Sequence, residues 1–291
     1  MGTSSGAVLR SALLTLAVGL ASTFPTAAGA AVFAAETAST KMPVVTLDEA
    51  AKGIPFDKLD AAAQSKVRQV LSNVSVFRRL PVRVVDCDPN LYLFLLRHPD
   101  VVVNMWEVLK LTMLSVQETG PNAYRSTEPD GTVCNFEYLY QSHDTHIVYA
   151  EGTYTGPLFK RQIKGSCLLV LKSGYVQETN GRYYITNRLD AFLNVEPGAV
   201  ELVTKTIQPL LAKVADNNFT QSLAFAGSLS RTAEVNGAGV ARLAERLERV
   251  QPEKRVKLAD LAREISQKAQ AAEAARSSVQ QAQRLEVITR Q

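Results

Sequence analysis

The chain has 291 residues, of which 46% are hydrophobic and 21% charged, with a formal net charge of +4. These proportions exclude wholesale disorder, a collagenous repeat and a disulfide-dense miniprotein. The whole charge excess lies in residues 237–291 and the remainder is balanced, so no globally basic surface tracks phosphates and nucleic acid is not expected as a partner.

Arg10 is followed by the uncharged run Ser11–Ala21 and by small residues around Ala27-Ala28-Gly29-Ala30, a pattern that reads as a cleaved signal peptide over residues 1–30. The run is too short to cross about 30 Å of hydrocarbon, and no later run is long enough to do so. A periplasmic or secreted destination is therefore expected, with roughly 255 to 260 residues left in the mature chain, enough for one large domain or one with an appendage.

Residues 31–55 read as a flexible lead-in. From Phe56 to Asn73 the apolar positions Leu59, Ala63, Val67, Val70 and Leu71 recur at helical spacing, which predicts an amphipathic helix laid on a larger surface. Val74 to Val85 is rich in β-branched residues, and Pro81 within it marks an edge strand or a bulge. Asp88-Pro89 and His98-Pro99-Asp100 each join a chain break to a helix start with proline at the first helical position. They predict two short helices, Pro89 to Arg97 and Pro99 to Leu109, with Val101-Val102-Val103 keeping a strand open as the alternative for the second.

From Leu111 to Val195 turn signals recur: Gly120-Pro121-Asn122, Glu128-Pro129-Asp130-Gly131, Ser142-His143-Asp144-Thr145, Gly156-Pro157 and Asn180-Gly181. About six antiparallel strands follow. The two longest, about Ile163 to Gln177 and Arg182 to Val195, imply a strongly curved sheet. After Pro197-Gly198 the stripe Val200, Val203, Ile207, Leu210, Leu211 and Val214 predicts a long helix to about Leu229, with Pro209 as a candidate kink. Asn236-Gly237-Ala238-Gly239 reads as a boundary. Beyond it Val240, Leu243, Leu247 and Val250, then Leu258, Leu261 and Ile265, keep helical spacing over too few heptads for a coiled coil.

The residue types that carry chemistry are sparse. No nucleophile elbow, P-loop, dinucleotide-binding glycine fingerprint or H-E-x-x-H occurs, and neither a cofactor nor a metal is expected. His143 and His146 beside Asp144, with Cys134 to complete a site, would be the metal candidates. Residues three apart on a strand point to opposite faces, however, and a Ser-His-Asp-Thr turn accounts for them without metal. Cys87, Cys134 and Cys167 match no metal knuckle or redox pair, and as small hydrophobes in apolar segments they read as buried thiols ahead of one disulfide with a thiol left over.

The order strand, two short helices, about six antiparallel strands and a long C-terminal helix resembles the START-like or polyketide-cyclase/Bet v 1-like (SRPBCC) helix-grip superfamily over about residues 74 to 230. The segment from His98 to Leu109 (HPDVVVNMWEVL) looks like its second short helix, and Tyr149-Ala150-Glu151-Gly152 like a central strand. The resemblance implies an α+β fold: a curved antiparallel sheet of about six or seven strands wrapped around a long C-terminal helix, with a cavity between them for lipids or other hydrophobic ligands. The N-terminal amphipathic helix and the charged helical tail, 236–291, lie outside that pattern, and the domain is placed at 56–235 with the N-terminal helix included.

Trp106, Phe136, Tyr138, Tyr149, Tyr154, Tyr183, Arg188 and Leu210 are the expected cavity residues, since clustered tyrosines bring apolar rings with hydroxyls that need partners. The leading expectation is an exported protein that binds or carries a hydrophobic, lipid-like molecule. One alternative is a cyclase- or hydrolase-type enzyme in the same cavity, with Glu137, Glu151, Arg188 and Asp190 as the residues to test. Another is a scaffold whose helices in 237–291 contact a protein partner or a membrane surface.

Overall fold

The computed structural model describes residues 45–129, 132–154, 162–196 and 208–289, with backbone alone for Tyr154, 208–212 and 279–289. The signal segment, the turns at Asp130-Gly131 and Gly156-Pro157, Pro197-Gly198, and the stripe Val200, Val203 and Ile207 lie outside the described residues.

The described chain opens with a short helix, α1 (Leu47–Ala51), closed at its N-terminus by a capping box between Thr46 and Glu49. Thus part of the expected lead-in is ordered structure. A 3-10 turn over Phe56–Lys58 leads into α2 (Ala61–Leu71), capped by Asp60, whose Oδ1 accepts from the Ala63 amide at 2.7 Å. The amphipathic segment therefore begins its α-helix at Ala61 rather than Phe56.

Next come β1 (Val76–Arg79) and β2 (Arg83–Asp86). Both pair antiparallel with β8 (Tyr183–Val195), β1 against Asp190 to Leu193 and β2 against Tyr184 to Asn187. They are one edge strand broken at Leu80-Pro81-Val82, where proline cannot donate to a ladder. That break brings the strands among the described residues to eight.

Helices α3 (Pro89–Arg97) and α4 (Pro99–Val108) follow, each with proline in its first turn. Asp88 caps α3 through the amides of Asn90 and Leu91. The run Val101-Val102-Val103 is helical because Val101 and Val103 bury completely against neighbouring elements, which outweighs its poor helix propensity.

Strands β3 (Ser115–Gly120), β4 (Ala123–Thr127), β5 (Val133–Gln141), β6 (Thr145–Tyr154), β7 (Ile163–Gln177) and β8 form an antiparallel meander, and the sheet order is β1-β8-β7-β6-β5-β4-β3. Asn180-Gly181 makes the β7–β8 turn, with Gly181 at φ +83°, a value glycine adopts without cost.

Two long helices complete the fold, α5 (Gln208–Glu245) and α6 (Pro252–Thr289). Pro209 sits in the first turn of the described helix, and the break in α5 falls instead at Asn236, φ −147° and ψ 57°. One face of the sheet receives α1 and α2, through Ala63, Val67 and Val70 against Ile147, Tyr149, Leu168 and Phe192. The other is crossed by α5, giving the α+β helix-grip architecture.

The stretch 236–291 does not stand apart from the domain. Val240, Ala244, Leu247, Leu258, Leu261 and Ile265 share one buried cluster with Leu91, Leu95, Met105 and Ile185. A Cβ on Gly237 would come 2.5 Å from the Ala262 carbonyl oxygen, so the two long helices touch at a point where only glycine fits. The apolar positions that the scaffold alternative would offer to a partner are therefore inside the protein's own core. No described helix is long and apolar enough to cross a membrane.

Candidate functional site

Between the inner face of the sheet and α5 lies a cavity of about 230 Å³. Alternation along the strands builds one wall: Cys134, Phe136 and Tyr138 from β5, His146, Val148 and Ala150 from β6, Leu169 and Leu171 from β7, Leu189 and Ala191 from β8. The opposite wall is Ala215, Phe219, Ser222, Leu223, Phe225 and Ala226 of α5, and α3 and α4 close one side with Tyr92, Leu95, Leu96, Val102 and Val103. No Asp, Glu, Lys or Arg side chain is among the described lining residues.

Most polar atoms in the wall have partners within the protein. The Tyr138 hydroxyl donates to the Leu96 carbonyl. Tyr92 donates to Asn187 Oδ1 and lies 2.8 Å from Ser173 Oγ. Ser222 Oγ returns to the Asn218 carbonyl at 2.8 Å, inside its own helix. Burial pushes the Tyr92 and Tyr138 phenols upward and the Cys134 thiol up to about 12, so all three remain protonated. His146 differs. It is 1% exposed, and neither ring nitrogen has a hydrogen-bond partner among the described residues. Burial, reinforced by Arg97, pushes its pKa down to about 4 and keeps the ring neutral.

Of the expected cavity residues, Phe136 and Tyr138 line the space. Trp106 stands one layer behind, 1% exposed, its ring edge-on to Phe225 at 5.5 Å. Tyr149 points the other way. It pairs across strands with Glu137, whereas the lining residues Phe136 and Tyr138 pair with Ala150 and Val148, and directly opposed residues share a face. Arg188, between Leu189 and Asn187 on β8, likewise faces away from the cavity, and Tyr183 sits at the hairpin end beyond it. The side chains of Tyr154 and Leu210 lie outside the described residues.

The residues singled out for catalysis also avoid the cavity. Glu137 pairs with Lys66 of α2, Glu151 accepts from the Tyr149 hydroxyl at 3.1 Å, and Asp190 takes a bidentate contact from Arg79 at 2.6 and 2.7 Å. His143 and His146 are not brought together: His143 is in the exposed turn, its ring 4.2 Å from that of Tyr175, and His146 is in the cavity wall.

The sequence matches no family model and no curated protein. Among solved structures it is similar to a hypothetical protein from Helicobacter pylori, with TM-score 0.34 and 10% identity over 53% of this chain and 89% of that one. It is similar to the di-domain ARO/CYC BexL from the BE-7585A biosynthetic pathway, with TM-score 0.32 and 14% identity over 58% and 55% of the two chains. It is also similar to norcoclaurine synthase from Thalictrum flavum, with TM-score 0.28 and 12% identity over 50% and 86%. At such scores these likenesses carry no argument about ligand or reaction, and the helix-grip architecture rests on the strand order and the position of α5.

Proposed function

We propose that this is an exported protein that holds a small, mainly apolar molecule between its sheet and α5, without transforming it. The observation that supports this reading is the cavity of about 230 Å³ with no charged side chain among its described lining residues. Apolar cavities of about 150 Å³ are large enough for benzene, whereas drug-sized ligands occupy roughly 300 Å³ or more. A single ring system or a short acyl chain matches the space better than a two-chain phospholipid. Burial of about 200 Å² of apolar ligand surface, at roughly 25 cal/mol per Å², contributes about 5 kcal/mol, enough for sub-millimolar binding. Export rests on the N-terminal pattern around Arg10 and Ser11–Ala21.

The test is titration of the full-length chain with the uncharged fluorophore N-phenylnaphthylamine. Saturable binding at one site per chain is expected. Ala150→Leu, which extends a side chain from the wall into the space, should weaken that binding by about tenfold with the fold intact. Unsaturable fluorescence, or binding indifferent to Ala150→Leu, would contradict the reading.

A further inference from the structure

His146 has no structural task that explains its chemistry. Its neighbours on the same face of β6 are Val148 and Ala150, its cross-strand neighbours are Gln141 and Leu171, and the Tyr138 ring stands edge-on at 6.4 Å. A leucine would suit this wall. A buried polar group without a partner costs folding free energy, and native proteins satisfy nearly all such groups. Here both ring nitrogens are without a partner among the described residues, in a side chain that lines the cavity and is 1% exposed.

The charges around it restrict what could pair with it. Arg97 Nη2 donates to the Ser142 carbonyl at 3.0 Å while its buried Nε has no partner among the described residues, and Asp144 Oδ1 accepts from Ser142 Oγ at 2.6 Å, so the turn beside His146 holds both groups in place. Neither reaches the lining. A ligand carboxylate or ammonium would enter without a counter-ion, at a large desolvation cost. A neutral imidazole offers one N–H and one bare nitrogen. A hydroxyl can answer either, because it both donates and accepts.

We propose that His146 is the polar anchor of the cavity, hydrogen-bonding a neutral oxygen, a hydroxyl above all, on an otherwise apolar ligand. This rests on the ligand-binding reading above and adds the ligand's polar chemistry to it. The anchor fixes the orientation of the bound molecule, its oxygen toward the start of β6 and its apolar body toward Phe136, Ala150 and Phe219.

The experiment compares three probes of one shape on the full-length chain: naphthalene, β-naphthol and β-naphthoate, by equilibrium titration against wild type and His146→Leu. β-Naphthol should bind wild type about tenfold more tightly than naphthalene, and β-naphthoate no more tightly than naphthalene. In His146→Leu the advantage of the hydroxyl should vanish while naphthalene binding persists. In wild type, the ring-nitrogen resonances of His146 should move with β-naphthol and stay in place with naphthalene, a readout that stands even if the variant does not fold. Equal binding of naphthalene and β-naphthol, tightest binding of β-naphthoate, or a hydroxyl preference that survives in His146→Leu would each overturn the anchor and leave the cavity reading in place. Failure of all three probes to bind would overturn both.

Discussion

The Lys254 ammonium lies 2.8 Å from Asp100 Oδ2 and 3.0 Å from Glu118 Oε2, with the Lys254 side chain 11% exposed and that of Asp100 4%. One cation thus ties the first turn of α6 to α4 and β3. Its Nζ also lies 5.6 Å from the centroid of the Tyr124 ring. Arg249, at the turn between the long helices, repeats the tie to Glu107 at 2.7 Å and to Ser115 Oγ at 3.0 Å.

Lys254→Met should destabilise the protein by about 3 kcal/mol, because breaking one side of a buried pair leaves Asp100 without its counter-charge. Denaturant unfolding at neutral pH measures this. A loss below about 0.5 kcal/mol would show that the contact behaves like an ordinary surface pair.

Removal of residues 251–291 should abolish cooperative unfolding. Leu258, Leu261, Ala262 and Ile265 are each no more than 5% exposed within the main core, and their loss would open the face against Leu91, Leu95 and Met105. Circular-dichroism melting checks it. A truncated chain that melts cooperatively and still binds N-phenylnaphthylamine would show the helix to be an appendage.

The helix starts were legible because they are local. Asp88-Pro89 carries its own cap, His98-Pro99-Asp100 carries the proline and acidic residue of a first turn, and Asn180-Gly181 holds its own turn. The face of each strand was harder to read. A bulge between Tyr138 and Tyr140 shifts the register of β5 against β6, so alternation along β5 does not say which neighbours share its inner face. Tyr140 leaves the inner face at that bulge, whereas Tyr149, opposite Glu137 ahead of it, faces outward by plain alternation with Val148 and Ala150. The Ser142-His143-Asp144-Thr145 turn signal masks His146, which begins the two-residue rhythm His146, Val148, Ala150 of the inner face. The tail read as separate because Val240 to Ile265 bury against α3 and α4, more than a hundred residues away in the chain, and periodicity reveals an apolar stripe without naming what covers it.

Acid should destabilise the empty protein through His146. Its pKa falls from 6.5 to about 4 on folding, first through burial and then through Arg97. Between those values the unfolded chain holds the extra proton, so stability is intact above pH 6.5 and declines as pH falls toward 4, by up to about 3 kcal/mol. His98, lowered chiefly by burial and Lys254, acts in the same direction and cancels when variants are compared. His146→Leu should therefore lose less stability than wild type between neutral pH and the acid end of that window. At neutral pH it should be about 1 kcal/mol more stable, having lost an unpaired buried group. Parallel unfolding curves at the two pH values, identical in their loss for both proteins, would contradict this.

All three thiols should be silent in the native protein. Cys87, Cys134 and Cys167 are free and at most 2% exposed, and burial pushes the first two up to about 12 and the third upward. Thiolate is the reactive form. A thiol titration should find none reactive before denaturation and all three after it. A rapidly reacting native thiol, or an intact mass showing a disulfide, would contradict the burial.

The most direct measurement of the central claim is native mass spectrometry of the protein purified from its own host, followed by denaturing extraction and identification of what is released. One small, uncharged, mainly apolar molecule bearing a hydroxyl or other neutral oxygen should be released per chain. A ligand-free protein that gains no thermal stability from a panel of such molecules would contradict it.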